Sequence, residues 1–166
     1  MFQFICHKIL KSSGMKYFLI PLTVLFVITA ARAQLVPDVL ESAEDSVKAV
    51  INSMFTAMKK ADGALLKSTF SDSIVFQTIS RNKDGKTVVR NESPQGFIEQ
   101  ISKARPDSLD ERISFETVKV DGPLAIAWTP YQFYYNGQFS HCGVNSFQLV
   151  RFNGIWKIQY IIDTRR

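Results

Sequence analysis

The last third of the chain alternates. In "LAIAWTPYQFYY", "FSHCGVNSFQLVRF" and "IWKIQYIID" side chains of opposite character follow one another with a period of two, which is the signature of β-strands. Asn136-Gly137 and Asn153-Gly154 separate these runs, and Asp121-Gly122 precedes them. Asn-Gly favours two-residue turns that need positive φ at both positions, so it marks hairpins. With "ERISFETVKV" ahead of them, the spacing predicts an antiparallel meander from Leu109 to the end.

Upstream the period changes. Val47, Val50, Ile51, Met54, Phe55 and Met58 fall on one face of a helix. Acids lead that segment, Lys59 and Lys60 close it, and Gly63 follows. "ALLKSTF" reads as a short second helix. "SIVFQTISR" and "KTVVRN" flank Asp84-Gly85 as a hairpin. "SPQGFIEQISKA" reads as a third helix, with Ser93 as N-cap, Pro94 as first helical residue, and Arg105-Pro106 ending it. Helices feeding a long meander give an α+β fold, with three N-terminal helices packed on a curved antiparallel sheet.

Residues 1–33 carry a different signal. "MKYFLIPLTVLFVITAARAQ" has a basic start, an apolar run from Tyr17 to Ala31, and the small-x-small end Ala31-Arg32-Ala33, the pattern of a cleaved signal peptide. A membrane anchor is the alternative, but the run is short for spanning. Met15 offers a second start, with residues 1–14 as an upstream extension. Residues 34–41 read as a linker and 42–166 as the folded domain. The expected destination is the periplasm or the medium, with no stable membrane anchor after cleavage.

Cleavage changes the chemistry of what remains. The full chain has 20 basic and 15 acidic residues and a net charge of +5. Lys8, Lys11, Lys16 and Arg32 leave with the signal, so 16 basic residues face 15 acidic ones and the net charge falls to +1. That removes the support for a nucleic-acid partner. Cys6 and His7 leave too. One Cys and one His remain, Cys142 and His141, which allow neither an internal disulfide nor a usual zinc site. No metal and no cofactor are expected.

His141 and Cys142 are adjacent, so on a strand they point to opposite faces and cannot pair as base and nucleophile. Counting from two-residue turns at Asn136-Gly137 and Asn153-Gly154 sets Gln132 opposite His141, Trp128 opposite Asn145, and Tyr160 opposite Phe147. One face then collects Ile126, Trp128, Gln132, Tyr134, Phe139, His141, Gly143, Asn145, Phe147, Leu149, Trp156, Ile158, Tyr160 and Ile162. It is the more apolar face, and the helices are expected to cover it. Asp163 falls on the other face, leaving no carboxylate inward from the meander. Pro130 is the weak point of this count, because it cannot donate to a ladder and favours a bulge that would flip Trp128.

The stretch "DGPLAIAWTPYQFYYNGQFSHCGVNSFQLVRFNGIWKIQYIIDTRR", with "AVINSMFTAMKKAD" and "FSDSIVF" upstream, resembles the nuclear transport factor 2-like (SnoaL-like) superfamily. More closely, it is similar to a secreted bacterial branch labelled lumazine-binding, over about residues 42–166. The resemblance implies a cone of three helices on a curved sheet, a pocket at its open end, and often a homodimer built on the sheet. It implies no established reaction, and the branch's label is not taken as naming the ligand.

The expected function is binding of a small, mostly apolar molecule in the cone. The expected lining is Trp128, Gln132, Tyr134, His141, Asn145 and Tyr160 from the sheet, with Phe55, Met58 and Phe97 from the helices. One alternative is a lyase or isomerase of the polyketide-cyclase or dehydratase type. There His141 would be the general acid/base and Tyr134 or Tyr160 a proton donor, although no complete catalytic constellation is visible. A structural His141 bonded to Asn145 or Gln132 is the plainer account of that residue. A second alternative is an interaction module whose cone is filled by its own side chains. Cys142 reads as a small packed residue. Tyr131, Phe133, Val144 and Ile161 are expected on the outer face as a homodimer interface.

The signal-peptide reading predicts a mature chain that begins at Gln34. Terminal sequencing of the exported protein checks it, and finding Met15 intact on membrane-held protein would refute it.

Overall fold

The computed structural model describes residues 42–166. The signal-peptide and linker expectations therefore lie outside the described residues. Helix α1 runs Ala43–Lys60 and α2 Gly63–Thr69. Strands β1 (Phe70–Arg81) and β2 (Thr87–Glu92) form a hairpin, and α3 (Pro94–Lys103) follows. The meander then comprises β3 (Leu109–Ile113), β4 (Thr117–Asp121), β5 (Leu124–Tyr135), β6 (Gln138–Phe152) and β7 (Ile155–Arg165). Among the described residues no helix is long and apolar enough to cross a membrane.

Local chemistry explains the helix ends. The Ser42 hydroxyl accepts from the Asp45 amide at 3.1 Å, and Glu44 and Asp45 sit at the positive end of the helix dipole. The helix closes on Ala61 at φ 57°, ahead of the expected Gly63, which instead opens α2. Asp62 caps α2 by accepting from Leu65 at 2.9 Å, and Ser93 caps α3 with Pro94 in the first turn, as expected. Gly63 also lies close against α3: a Cβ there would lie 1.8 Å from the Ser102 Oγ, which would have to turn away.

The sheet order is β2-β1-β7-β6-β5-β3, with β4 also on β5. Two departures from a plain meander matter. The expected single strand "ERISFETVKV" is broken at Ser114–Glu116 into β3 and β4, both paired with β5. Strand β1 runs parallel to β7, so an early strand closes on the last one of the domain.

The core lies between the sheet and the helices. Val47, Ile51 and Phe55 of α1 pack on Ala125, Ala127, Phe147, Leu149 and Ile158. Phe55 meets Phe147 edge to face, with centroids 6.1 Å apart.

Both Asn-Gly turns form as expected. Asn136 and Gly137 take φ 50° and 78°, Asn153 and Gly154 take 48° and 87°, and the flanking pairs are Tyr135–Gln138 and Phe152–Ile155. The register does not continue from them. Tyr134 pairs with Phe139, but Phe133 pairs with His141, leaving Ser140 as an extra residue. One bulged residue moves every later side chain of the partner strand to the other face. Ala125, Ala127, Thr129, Tyr131 and Phe133 therefore point inward, whereas Ile126, Trp128 and Gln132 point outward. Pro130 is not the cause, because it stays in register with Val144. A second bulge at Gln159 turns β7 in the same way: Trp156 and Ile158 remain inward, then Ile161 and Asp163 follow, and Tyr160 and Ile162 face out. The Gln159 side chain secures the bulge by accepting from the Ser71 hydroxyl at 2.8 Å and donating to the Ser73 carbonyl at 2.9 Å.

Candidate functional site

Beyond the core the sheet and helices enclose a cavity of about 570 Å³. Its apolar walls come from Met54 and Met58 of α1, Phe97 and Ile101 of α3, Phe133 of β5 and Ile161 of β7. The opposite wall is polar. Glu111 of β3, Tyr131 of β5, His141 and Asn145 of β6, and Asp163 and Arg165 of β7 converge there. The two bulges supply this wall, for without them Tyr131 and Asp163 would face outward.

A chain of bonds links these groups. The Asn145 amide donates to Glu111 Oε1 at 2.9 Å. The Tyr131 hydroxyl donates to the Thr164 carbonyl at 3.0 Å, with Asp163 Oδ2 at 3.3 Å. Arg165 Nε lies 3.5 Å from the same Asp163 oxygen. Gly143 makes room for Tyr131: a Cβ there would stand 2.8 Å from the ring and 1.8 Å from the Thr164 carbonyl oxygen. His141 packs edge-on to Tyr131 (5.8 Å between centroids) and tilted on Phe133 (5.0 Å), and its Nδ1 meets the Ser140 hydroxyl at 3.1 Å.

Burial sets the protonation states. Desolvation, and after it the charge of Asp163, push the Glu111 carboxyl from 4.5 up to about 7, against the opposing Asn145 bond and Arg165. Burial, then the nearby carboxylates Asp163 and Glu111, raise the Tyr131 hydroxyl, so it stays a donor. Burial, then the Arg165 guanidinium, hold His141 below its ordinary value of 6.5, so the imidazole is neutral at pH 7. The group poised to exchange a proton near neutrality is therefore Glu111, with His141 beside it as an uncharged wall.

The expected residues divide. His141, Asn145, Met58 and Phe97 line the cavity. Phe55 does not; it is spent in the core against Phe147. Trp128, Gln132, Tyr134 and Tyr160 lie away from the cavity, because the Ser140 and Gln159 bulges flip the strands that carry them. Tyr134 donates to Gln132 at 3.1 Å and carries Arg112 over its ring at 4.0 Å, while Tyr160 donates to Gln77 at 2.6 Å. His141 bonds neither Asn145 nor Gln132, contrary to the expected structural role. Tyr131, Phe133 and Ile161, expected outside, are inside, and the inward face carries carboxylates after all. Cys142 is half-buried, with its backbone paired to Arg166.

Glu111, Asp163, Tyr131 and Arg165 were missed. One signal was available for Glu111: it stands between Leu109 and Ile113 at a spacing of two, a charge on an otherwise apolar strand face. Among the described residues no cluster of three or more metal-ligating side chains forms.

The raised Glu111 carboxyl makes a signed prediction. Unfolded, it ionises near 4.5; folded, near 7. The folded chain holds the extra proton between these values, so stability falls as pH rises from 4.5 to about 7 and is level above. Glu111→Gln should be more stable than wild type by roughly 1–3 kcal/mol at pH 8, with the gain vanishing towards pH 4.5. Chemical denaturation across that range checks this; an equal or less stable variant at pH 8 would refute the assignment.

No family model matches the chain, and no curated protein does. Solved structures match. A nuclear transport factor 2-like protein of unknown function from Shewanella baltica OS155 superposes with a TM-score of 0.56 at 17% identity, over 73% of this chain and 91% of its own. A domain of unknown function with a cystatin-like fold from Nostoc punctiforme PCC 73102 gives 0.58 at 18%, over 75% and 78%. A further nuclear transport factor 2-like protein of unknown function, from Methylobacillus flagellatus KT, gives 0.55 at 16%, over 74% and 90%. At such identities the likeness speaks for fold alone: residues 42–166 take the fold of nuclear transport factor 2-like proteins.

Proposed function

We propose that this domain is an exported receptor for one small, mostly apolar molecule, held in the cone with a polar group against the Glu111 wall. The observation that carries this reading is the cavity itself. About 570 Å³ of space behind Phe97, Met58 and Phe133 is left unfilled by the domain's own side chains, and that size suits a drug-sized ligand. A cone filled by its own side chains would have left no such space. Native mass spectrometry of protein purified from its own cell envelope should find a co-purifying small molecule, lost on denaturation and absent from a Phe97→Arg variant that blocks the cavity. Protein that carries no such mass, and gains none from the host's small-molecule extract, would refute the reading.

A second reading is proton transfer, as in a lyase or isomerase. What favours it is Glu111, a carboxyl titrating near 7 that faces an apolar chamber, rather than His141.

We also propose that two copies pair through the outer face of the sheet. That face presents Ile126 and Trp128 at 41% and 45% exposure beside Val144 and Ile162. These positions carry no charge, so two like faces meet without repulsion. The patch replaces Tyr131, Phe133 and Ile161, and keeps Val144. Trp128→Glu should sediment as a monomer where wild type sediments as a dimer; wild type that is already monomeric at micromolar concentration would end the proposal.

A further inference from the structure

The cavity wall has a sign and a direction of hydrogen bonding. Among the described residues its lining includes three carboxylates, Glu92, Glu111 and Asp163, against one guanidinium, Arg165, with His141 uncharged. Without residues 1–33 the chain carries 16 basic and 15 acidic residues and is close to neutral, so the excess of acid is local to the cavity. Much of the wall's donor capacity is committed. The Tyr131 hydroxyl is directed at Thr164 and Asp163, the Asn145 amide at Glu111, and Arg165 Nε at Asp163. Beside the Arg165 Nη groups, two acceptors remain open: Glu111 accepts through Oε1, and Asp163 through Oδ2, leaving the second oxygen of each carboxyl without a bond among the described residues.

Resting on the small-molecule reading above, we infer that the ligand is a cation: a protonated amine on an apolar body. Its ammonium would sit at the free oxygens of Glu111 and Asp163, and its body on Phe133, Phe97, Met54 and Met58. Three considerations select an amine over a neutral or acidic molecule. An ammonium brings donors and no acceptor, which matches the free oxygens of Glu111 and Asp163. Its charge offsets the mutual repulsion of two neighbouring carboxylates, which is part of what holds Glu111 protonated. The rings of Tyr131 and Phe133 border the same space and favour a cation over their faces. An acid would meet Arg165 only at the cost of facing all three carboxylates.

Binding then couples to one proton. Glu111 ionises to receive the ammonium and releases its proton, while an alkylamine stays charged throughout the range. The groups that face Glu111 during this step are Asp163 and Arg165 of β7, Tyr131 of β5, and Asn145 and His141 of β6.

The test uses three probes with one apolar body, 3-phenylpropylamine, 3-phenylpropan-1-ol and 3-phenylpropionate, titrated calorimetrically into the mature protein. The amine should bind at least about tenfold more tightly than the alcohol, and the acid more weakly than either. Amine affinity should rise from pH 5.5 to 8, with a heat that depends on the buffer's ionisation enthalpy. Glu111→Gln should reduce the amine to the level of the alcohol, and Asp163→Asn should act in the same direction. The alcohol or the acid binding as tightly as the amine would overturn the inference while leaving a ligand-binding cone intact. So would an amine preference that survives in Glu111→Gln. Silence from all three probes also overturns it, and the broader reading then stands or falls separately on the co-purifying mass.

Discussion

Between Phe139 and His141 the β5–β6 ladder passes over Ser140 without a partner for it. The inward face of β5 follows from that extra residue. It places Ala125 and Ala127 in the core that the sheet shares with α1. It sends Trp128 and Ile126 to the outer face, where their bulk does not compete for interior volume. It brings Tyr131 over Gly143, the one partner whose missing side chain leaves the ring room to reach Thr164. In the opposite parity Ile126, Trp128, Gln132 and Tyr134 would project inward, and the space now open would be filled.

The polar wall is held by interactions that each leave something unsatisfied. Glu111 is half-buried and desolvated, with one bond where a carboxylate accepts several, and it responds by keeping its proton towards neutrality. Asp163 stays paired because Arg165 and Tyr131 both reach it. A domain selected for stability alone would favour an apolar residue at Glu111, between Leu109 and Ile113. Retaining a strained carboxyl there is the kind of local inconsistency found where folds carry function.

The fold was legible from the sequence because its signals are local. Ser42, Asp62 and Ser93 cap helices that their own neighbours define, and both Asn-Gly turns take the positive φ values they favour. The site was half legible. His141 and Asn145 lie on β6, whose inward face follows the expected count from His141 onward, whereas Phe139 on β6, Gln132, Trp128 and Tyr134 on β5 and Tyr160 on β7 fall on the other side of a bulge and face out. A bulge at a serine or a glutamine has no signature in a single sequence: Ser140 and Gln159 bulge because of what the neighbouring strands require, and Pro130, the residue that looked suspect, stays in register. Parity propagates such an error along the whole strand, which is why three expected interface residues became interior ones together.

The parallel pairing of β1 with β7 has a consequence in time. Gln159 reaches Ser71 across 88 residues of chain, and the carboxylate and guanidinium of the wall stand on the same late strand. Contacts that far apart form slowly, because the loop they close must be ordered first. A nascent chain can therefore build α1, α2 and the β1–β2 hairpin early, but β1 keeps an open edge until β7 is available. During that interval the edge is exposed to pairing with another chain, and the polar wall of the cavity is incomplete. The polar wall of this domain is completed only when β7 joins the sheet, rather than assembled along the way.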